Sequence, residues 1–193
     1  MLISILKFYT IGVFFVLSVQ FGAQHITLYL GNELFFYHGC TEHLKSGACN
    51  TIGGTKYVLV DFFSGEEKYM IFDAIKTLIA DGYIPIIAHV ERYRRLNSHH
   101  LEDVSALKAA GALIQVNAPS VIGANGLRQK LIARDIIRCG MCDIVCSDAH
   151  DDSARAHYMS KAYAYILKKH GTELAQKLTK DNADTLLLGQ RLR

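Results

Sequence analysis

The chain has 193 residues, half of them hydrophobic (50%) and a fifth charged (20%), which suits one domain with a substantial core and excludes a disordered chain. With 21 basic and 18 acidic residues the net charge is +3, and no basic run stands out, so nothing points to a nucleic-acid partner. Five cysteines, an odd number without regular spacing, argue against a disulfide framework and for a reducing, cytoplasmic setting.

The first stretch, MLISILKFYTIGVFFVLSVQFG, carries a single charge, Lys7. Residues 1–22 are long and apolar enough for a membrane anchor and offer the chain a membrane contact. A secretory signal is less well supported, because the run ends in Gln20 and Gly22 without a small-x-small cleavage site. A third reading is a leader foreign to the domain, through a misplaced start or a frame change. The expected boundary lies at residue 22, with the folded domain over 23–193.

Five short apolar runs follow: Ile26–Leu30, Tyr57–Val60, Ile84–Ala88, Leu113–Val116 and Asp143–Cys146. Their apolar character is that of strands covered on both faces. Between them lie helical patterns. Ser64, with Glu67 three residues on, has capping-box spacing, and Ile71, Ile75, Leu78 and Ile79 form one face before Gly82. Leu101, Val104 and Leu107 precede Gly111, and Leu127, Leu131 and Ile132 precede Gly140. Residues 153–170 and 172–180 read as helices parted by Gly171, while Phe35 to Thr55 reads as an irregular linker. The lone C-x-x-C of Cys139 and Cys142 lacks the second pair a zinc knuckle needs, so the thiols read as small core residues.

Alternating strands and helices predict an α/β fold with parallel strands, and such folds gather their chemistry at the carboxyl ends of the strands. Four of the five strand ends carry Glu33, His89, Asn117, or Asp148 with His150. Two carboxylates and two imidazoles form an oxygen and nitrogen ligand set suited to a first-row divalent ion such as manganese, iron or zinc. Asp148 and His150 stand two residues apart, which on an extended chain turns both to one side. A cation there lowers the pKa of its water and polarises an attacked oxygen. Any one of these four residues alone reads as a hydrogen-bonded structural group; together they read as a metal site. Asn117 reads first as a turn former and second as a donor to a ligand. Arg92 and Arg155 flank the ligands and offer forks that match phosphate oxygens, whereas Arg94 and Arg95 read as surface residues. No cysteine is followed by arginine six positions later, and neither a phosphate-binding G-x-x-x-x-G-K-[ST] loop nor a G-x-S-x-G elbow occurs. Metal-assisted hydrolysis is the class left standing.

The segments LYLGNELFF, YVLVDFF, GYIPIIAHVERY, GALIQVNAPSV and IVCSDAH, in this order, resemble the manganese-dependent tyrosine-protein phosphatases of bacterial capsular and exopolysaccharide operons. That family lies in the polymerase-and-histidinol-phosphatase (PHP) superfamily. The resemblance runs from about Ile26 to the carboxyl end. It implies a distorted (β/α)7 barrel, a metal cluster, often of Mn2+, and hydrolysis of phosphotyrosine on the bacterial tyrosine kinase that controls polysaccharide export. Residue by residue, Glu33, His89, Asp148 and His150 resemble metal ligands, and Arg92 and Arg155 resemble the arginines that hold the substrate phosphate. One departure stands out: the family opens with a His-x-His strand, and none occurs here, His25 being the one histidine before Ile26. The expectation is therefore an N-terminally truncated barrel of about five strands, more in keeping with a fragment whose true start lies upstream than with a membrane-anchored remnant. The rival functions are an inactive binding module and a small-molecule phosphatase acting on a histidinol-phosphate-like substrate.

Overall fold

A computed structural model describes residues 18–21, 24–27, 29–96, 101–148 and 158–192. Residues 1–17, the larger part of the expected leader over 1–22, lie outside the described residues, as do His99, His100, His150 and Arg155. Two short strands, β1 (Ser18–Phe21) and β2 (Gln24–Thr27), pair antiparallel. The main sheet has five parallel strands in chain order: β3 (Glu33–Phe35), β4 (Tyr57–Asp61), β5 (Ile84–Ile87), β6 (Leu113–Asn117) and β7 (Ile144–Cys146). The α/β class and four of the five expected strands hold. The first does not, since Ile26–Leu30 is replaced in the sheet by Glu33–Phe35, and Glu33 opens its strand instead of following it. The linker before β4 carries a short helix, α1 (Thr41–Lys45).

Helices α2 (Lys68–Ala80), α3 (Glu102–Ala109), α4 (Ala118–Ile122), α5 (Leu127–Arg138), α6 (Tyr158–His170), α7 (Thr172–Gln176) and α8 (Asn182–Leu187) complete the fold. Among the described residues no helix is long and apolar enough to cross a membrane. The expected glycine stops are present. Beyond Gly82, Gly111 and Gly140, the amides of Tyr83, Ala112 and Met141 reach back to Leu78, Leu107 and Ile136, the six-to-one bond of a Schellman ending. The expected Ser64 cap is not present. Ser64 gives its carbonyl to the Arg94 amide at 2.9 Å, tying it to the loop after β5, and α2 starts four residues later.

Alternation along the strands divides the sheet into two unlike faces. On one, Val58, Val60, Ile87, Ile114, Val116 and Val145 pack with Ile71, Ile75, Leu78, Leu107 and Ile136 from the helices, all buried. The other, called here the inner face, is apolar only in its first rows, where Tyr57, Ile86 and Ile144 pack with Leu186 of α8. The Tyr57 hydroxyl donates to the Gln190 carbonyl at 2.7 Å, and the Asn182 amide donates to the Asp143 carbonyl at 2.7 Å, so the carboxyl-terminal helices cover that end. Toward the carboxyl ends of the strands the inner face turns polar: Glu33, Asp61, Gln115, Asn117 and Asp148 are all buried there.

Candidate metal centre

Glu33, Asp61 and His89 meet at this edge, each with a ligand atom within 4.8 Å of the other two. His89 Nε2 lies 3.2 Å from Glu33 Oε1 and 3.6 Å from Asp61 Oδ1. Two donors each about 2.1 Å from one ion, at octahedral or tetrahedral angles, stand roughly 3.0–3.4 Å apart, so these separations suit a shared cation. His89 follows β5 in the left-handed region, at φ 33° and ψ 52°, and Asp148 follows β7 at φ 48°. Such values are uncommon outside glycine and cluster at functional sites. At His89 the turn breaks the alternation of β5 and brings the ring back to the inner face.

Asp61 was not singled out in the sequence, although it ends a strand as the others do. A single acidic residue before two phenylalanines carries no local signal of its own, and only the register shows its place. Phe35 lies opposite Asp61, which carries Asp61 one row beyond Glu33 on the same face. Its Oδ1 accepts from the Phe62 amide and from the Tyr93 hydroxyl, each at 2.8 Å. Burial, and then the neighbouring Asp61 carboxylate, push the Tyr93 hydroxyl well above its usual range, so it stays a donor.

Asp148 sits apart from that trio. Its Oδ2 accepts from Arg92 Nη2 at 2.6 Å and from Asn117 Nδ2 at 2.9 Å. Asn117 is thus a fully buried donor to Asp148, which corrects its first reading as a turn former. Arg92, expected to face phosphate, here faces the expected ligand. A chain of amides joins the two groups: His89 N–H donates to Gln115 Oε1, Gln115 Nε2 to Asn117 Oδ1 at 2.7 Å, and Asn117 Nδ2 to Asp148. Its direction is forced, because a backbone N–H only donates and a carboxylate only accepts. Beneath it lies Glu91, fully buried, whose Oε1 accepts from the Asn117 amide at 3.2 Å; burial raises its carboxyl. Gln115 and Glu91 also escaped sequence reasoning, being one polar residue inside a strand and one acid in a charged turn. Arg94 and Arg95 are exposed, as expected. All five cysteines are free; Cys40, Cys49 and Cys142 are buried, while Cys139 is exposed.

The family described as "Capsular polysaccharide synthesis, CpsB/CapC" matches residues 17–188. The chain belongs to the CpsB/CapC family. It is 27% identical over 173 residues to the tyrosine-protein phosphatase CpsB of Streptococcus pneumoniae, covering 87% of this chain and 71% of that protein. It is 29% identical over 171 residues to the tyrosine-protein phosphatase YwqE of Bacillus subtilis (strain 168), covering 84% of this chain and 63% of that one. A solved structure from the pair YwqE of Bacillus subtilis and CpsB of Streptococcus pneumoniae, described as unique metal-dependent tyrosine phosphatases, superposes with a TM-score of 0.78 at 28% identity. It covers 84% of this chain and 65% of the solved one. The chain therefore spans about two thirds of the length of these CpsB/CapC relatives.

Proposed function

We propose that this CpsB/CapC chain belongs to a metal-dependent phosphatase that hydrolyses phosphotyrosine on proteins and acts in capsular or exopolysaccharide synthesis. The observation that carries this reading is the buried cluster of Glu33, Asp61 and His89 at the carboxyl edge of the sheet, in a fold shared with metal-dependent tyrosine phosphatases. The donor set is two carboxylates and one imidazole, which fits manganese better than a soft ion. Glu33, Asp61 and His89 would hold it, with Asp148 and His150 as further ligands and Mn2+ as the cation. When bound, a divalent cation supplies Lewis acidity toward a phosphoryl oxygen and lowers the pKa of water.

The remaining roles fall to the chain's own groups. Tyr93 and the Phe62 amide orient the Asp61 carboxylate. The Gln115–Asn117 chain sets the distance between His89 and Asp148. Arg92, part-exposed and paired with Asp148, and Arg155 hold the phosphate oxygens. The five parallel strands are read as part of a distorted (β/α)7 PHP-type barrel, with 23–193 as the phosphatase domain and 1–22 as the leader. The phosphoprotein is read as a tyrosine kinase of polysaccharide export in the cytoplasm, where free thiols such as those of this chain persist.

The test is release of phosphate from a phosphotyrosyl peptide, with manganese and with chelator, for the wild type, Asp148→Ala and His150→Ala. Metal-dependent turnover that both substitutions abolish is expected. Equal rates in all three proteins would sink the assignment.

A further inference from the structure

On the inner face Phe35 shares the row of Asp61, one row beyond Glu33, and Phe63 follows the end of β4. Phe35 stands two residues after Glu33, and Phe63 two residues after Asp61. Two residues along a strand advance roughly 6–7 Å and return to the same face. The two rings meet edge to face, their centroids 4.7 Å apart at 78°. Both are open to solvent, Phe35 at 40% and Phe63 at 66%. Single exposed apolar residues are ordinary on a protein surface, but two large rings packed on each other at the mouth of a buried polar cluster are not. The backbone beneath them is held. The Phe36 amide donates to the Asp61 carbonyl at 2.9 Å, and the buried Phe62 ring packs on Phe36 at 5.8 Å and on Tyr93 at 5.7 Å. Phe35 thus ends β3, and Phe63 follows β4 beside this hydrogen-bonded backbone.

We propose that Phe35 and Phe63 form an aromatic rim that selects aryl over alkyl phosphate monoesters at this site. The inference rests on the phosphatase reading above and names the residues that set its substrate class. With the phosphate at the cluster of Glu33, Asp61 and His89, the group bonded to the ester oxygen extends outward past Phe35 and Phe63. In an aryl ester that group is a flat ring, which meets the two phenyl rings edge to face or offset. In a seryl or threonyl ester it is a short aliphatic carbon chain that leaves the rim uncovered. Aromatic pairs contribute beyond the area they bury, enough for roughly a two- to tenfold preference.

The experiment is calorimetric titration of the manganese-loaded full chain with phenylphosphonate and with methylphosphonate, two probes that cannot be hydrolysed. The wild type is expected to bind phenylphosphonate more tightly by about tenfold. Phe35→Ala and Phe63→Ala should each cut that preference by about two- to fivefold, and the double variant should remove it, with methylphosphonate affinity unchanged throughout. A preference that survives in the double variant, or equal losses for both probes, overturns the rim. The two readings fail separately. A wild type that hydrolyses phosphotyrosyl peptide but binds the probes alike keeps the phosphatase and loses the rim. A wild type that shows the rim-dependent preference without hydrolysis keeps the rim and loses the phosphatase. Binding of neither probe overturns both.

Discussion

The polar edge of the sheet holds two acidic groups in opposite conditions. On the β3–β5 side, Glu33 and Asp61 converge on one imidazole, each within 4.8 Å of the others. On the β7 side, Asp148 is already neutralised by Arg92 at 2.6 Å and steadied by Asn117 at 2.9 Å. A cation shared by two carboxylates and an imidazole is attracted by both charges at once; a carboxylate paired with a guanidinium has less to gain from one. The first group is therefore shaped for an ion, while the second is balanced until something displaces its arginine. An arriving phosphate could do so, because it competes for the same fork.

The largest expected effect comes from breaking the first group. His89→Ala or Asp61→Asn should weaken manganese binding by more than about 100-fold, read by calorimetry, and abolish phosphotyrosyl hydrolysis. Asp61→Asn is the sharper variant. Its remaining oxygen can still accept from the Phe62 amide and the Tyr93 hydroxyl, so stability in chelator should fall by less than about 1 kcal/mol. A large loss of stability would mean that Asp61 serves the fold and not an ion. Tyr93→Phe leaves every proposed ligand in place and removes the donor that aims Asp61. It should lower manganese affinity by about tenfold, since partners of ligand side chains typically contribute that much. The second group should answer differently. Arg92→Ala strips the nearly buried Asp148 of its cation and should cost about 2 kcal/mol in urea unfolding with chelator present, less than for a fully buried pair because the arginine is part-exposed. The cost should shrink in the Asp148→Asn background, which a double-mutant cycle would show.

The sheet was legible in the sequence where one signal sufficed. Apolar runs with both faces covered announced β4 to β7, and glycines with free left-handed φ announced the ends of α2, α3 and α5. It was illegible at β3, where a three-residue strand gives no periodicity and the better alternating pattern, Ile26–Leu30, lies upstream of the sheet. Within the site, His89 was legible because an imidazole after an apolar run is costly to place there by chance. Asp61 satisfied the same rule but was masked by the aromatic residues after it. Gln115 and Tyr93 had no local signal at all: what they do depends on which strand lies beside which, and a single sequence carries no register. His150 and Arg155 lie outside the described residues, so their proposed roles rest on the SDAH motif and on spacing.

The smallest expected effect tests whether the two acidic groups are one site. Gln115 lies on β6, between the strands that carry His89 and Asp148, and gives its oxygen to one neighbour and its nitrogen toward the other. It touches neither carboxylate of the first group through any hydrogen bond found among the described residues, so a change there acts by position alone. Gln115→Leu fills nearly the same volume but leaves the buried His89 N–H and Asn117 Oδ1 without their partner, a loss of about 1–2 kcal/mol in stability. It also removes the bond that supports His89 at φ 33°, where a non-glycine residue is strained. If the amide chain couples the groups, Gln115→Leu and Arg92→Ala should be non-additive in manganese affinity, with an interaction energy above about 0.5 kcal/mol. Additive losses would separate the cluster of Glu33, Asp61 and His89 from Asp148, and would leave Asp148 as a structural partner of Arg92 and Asn117.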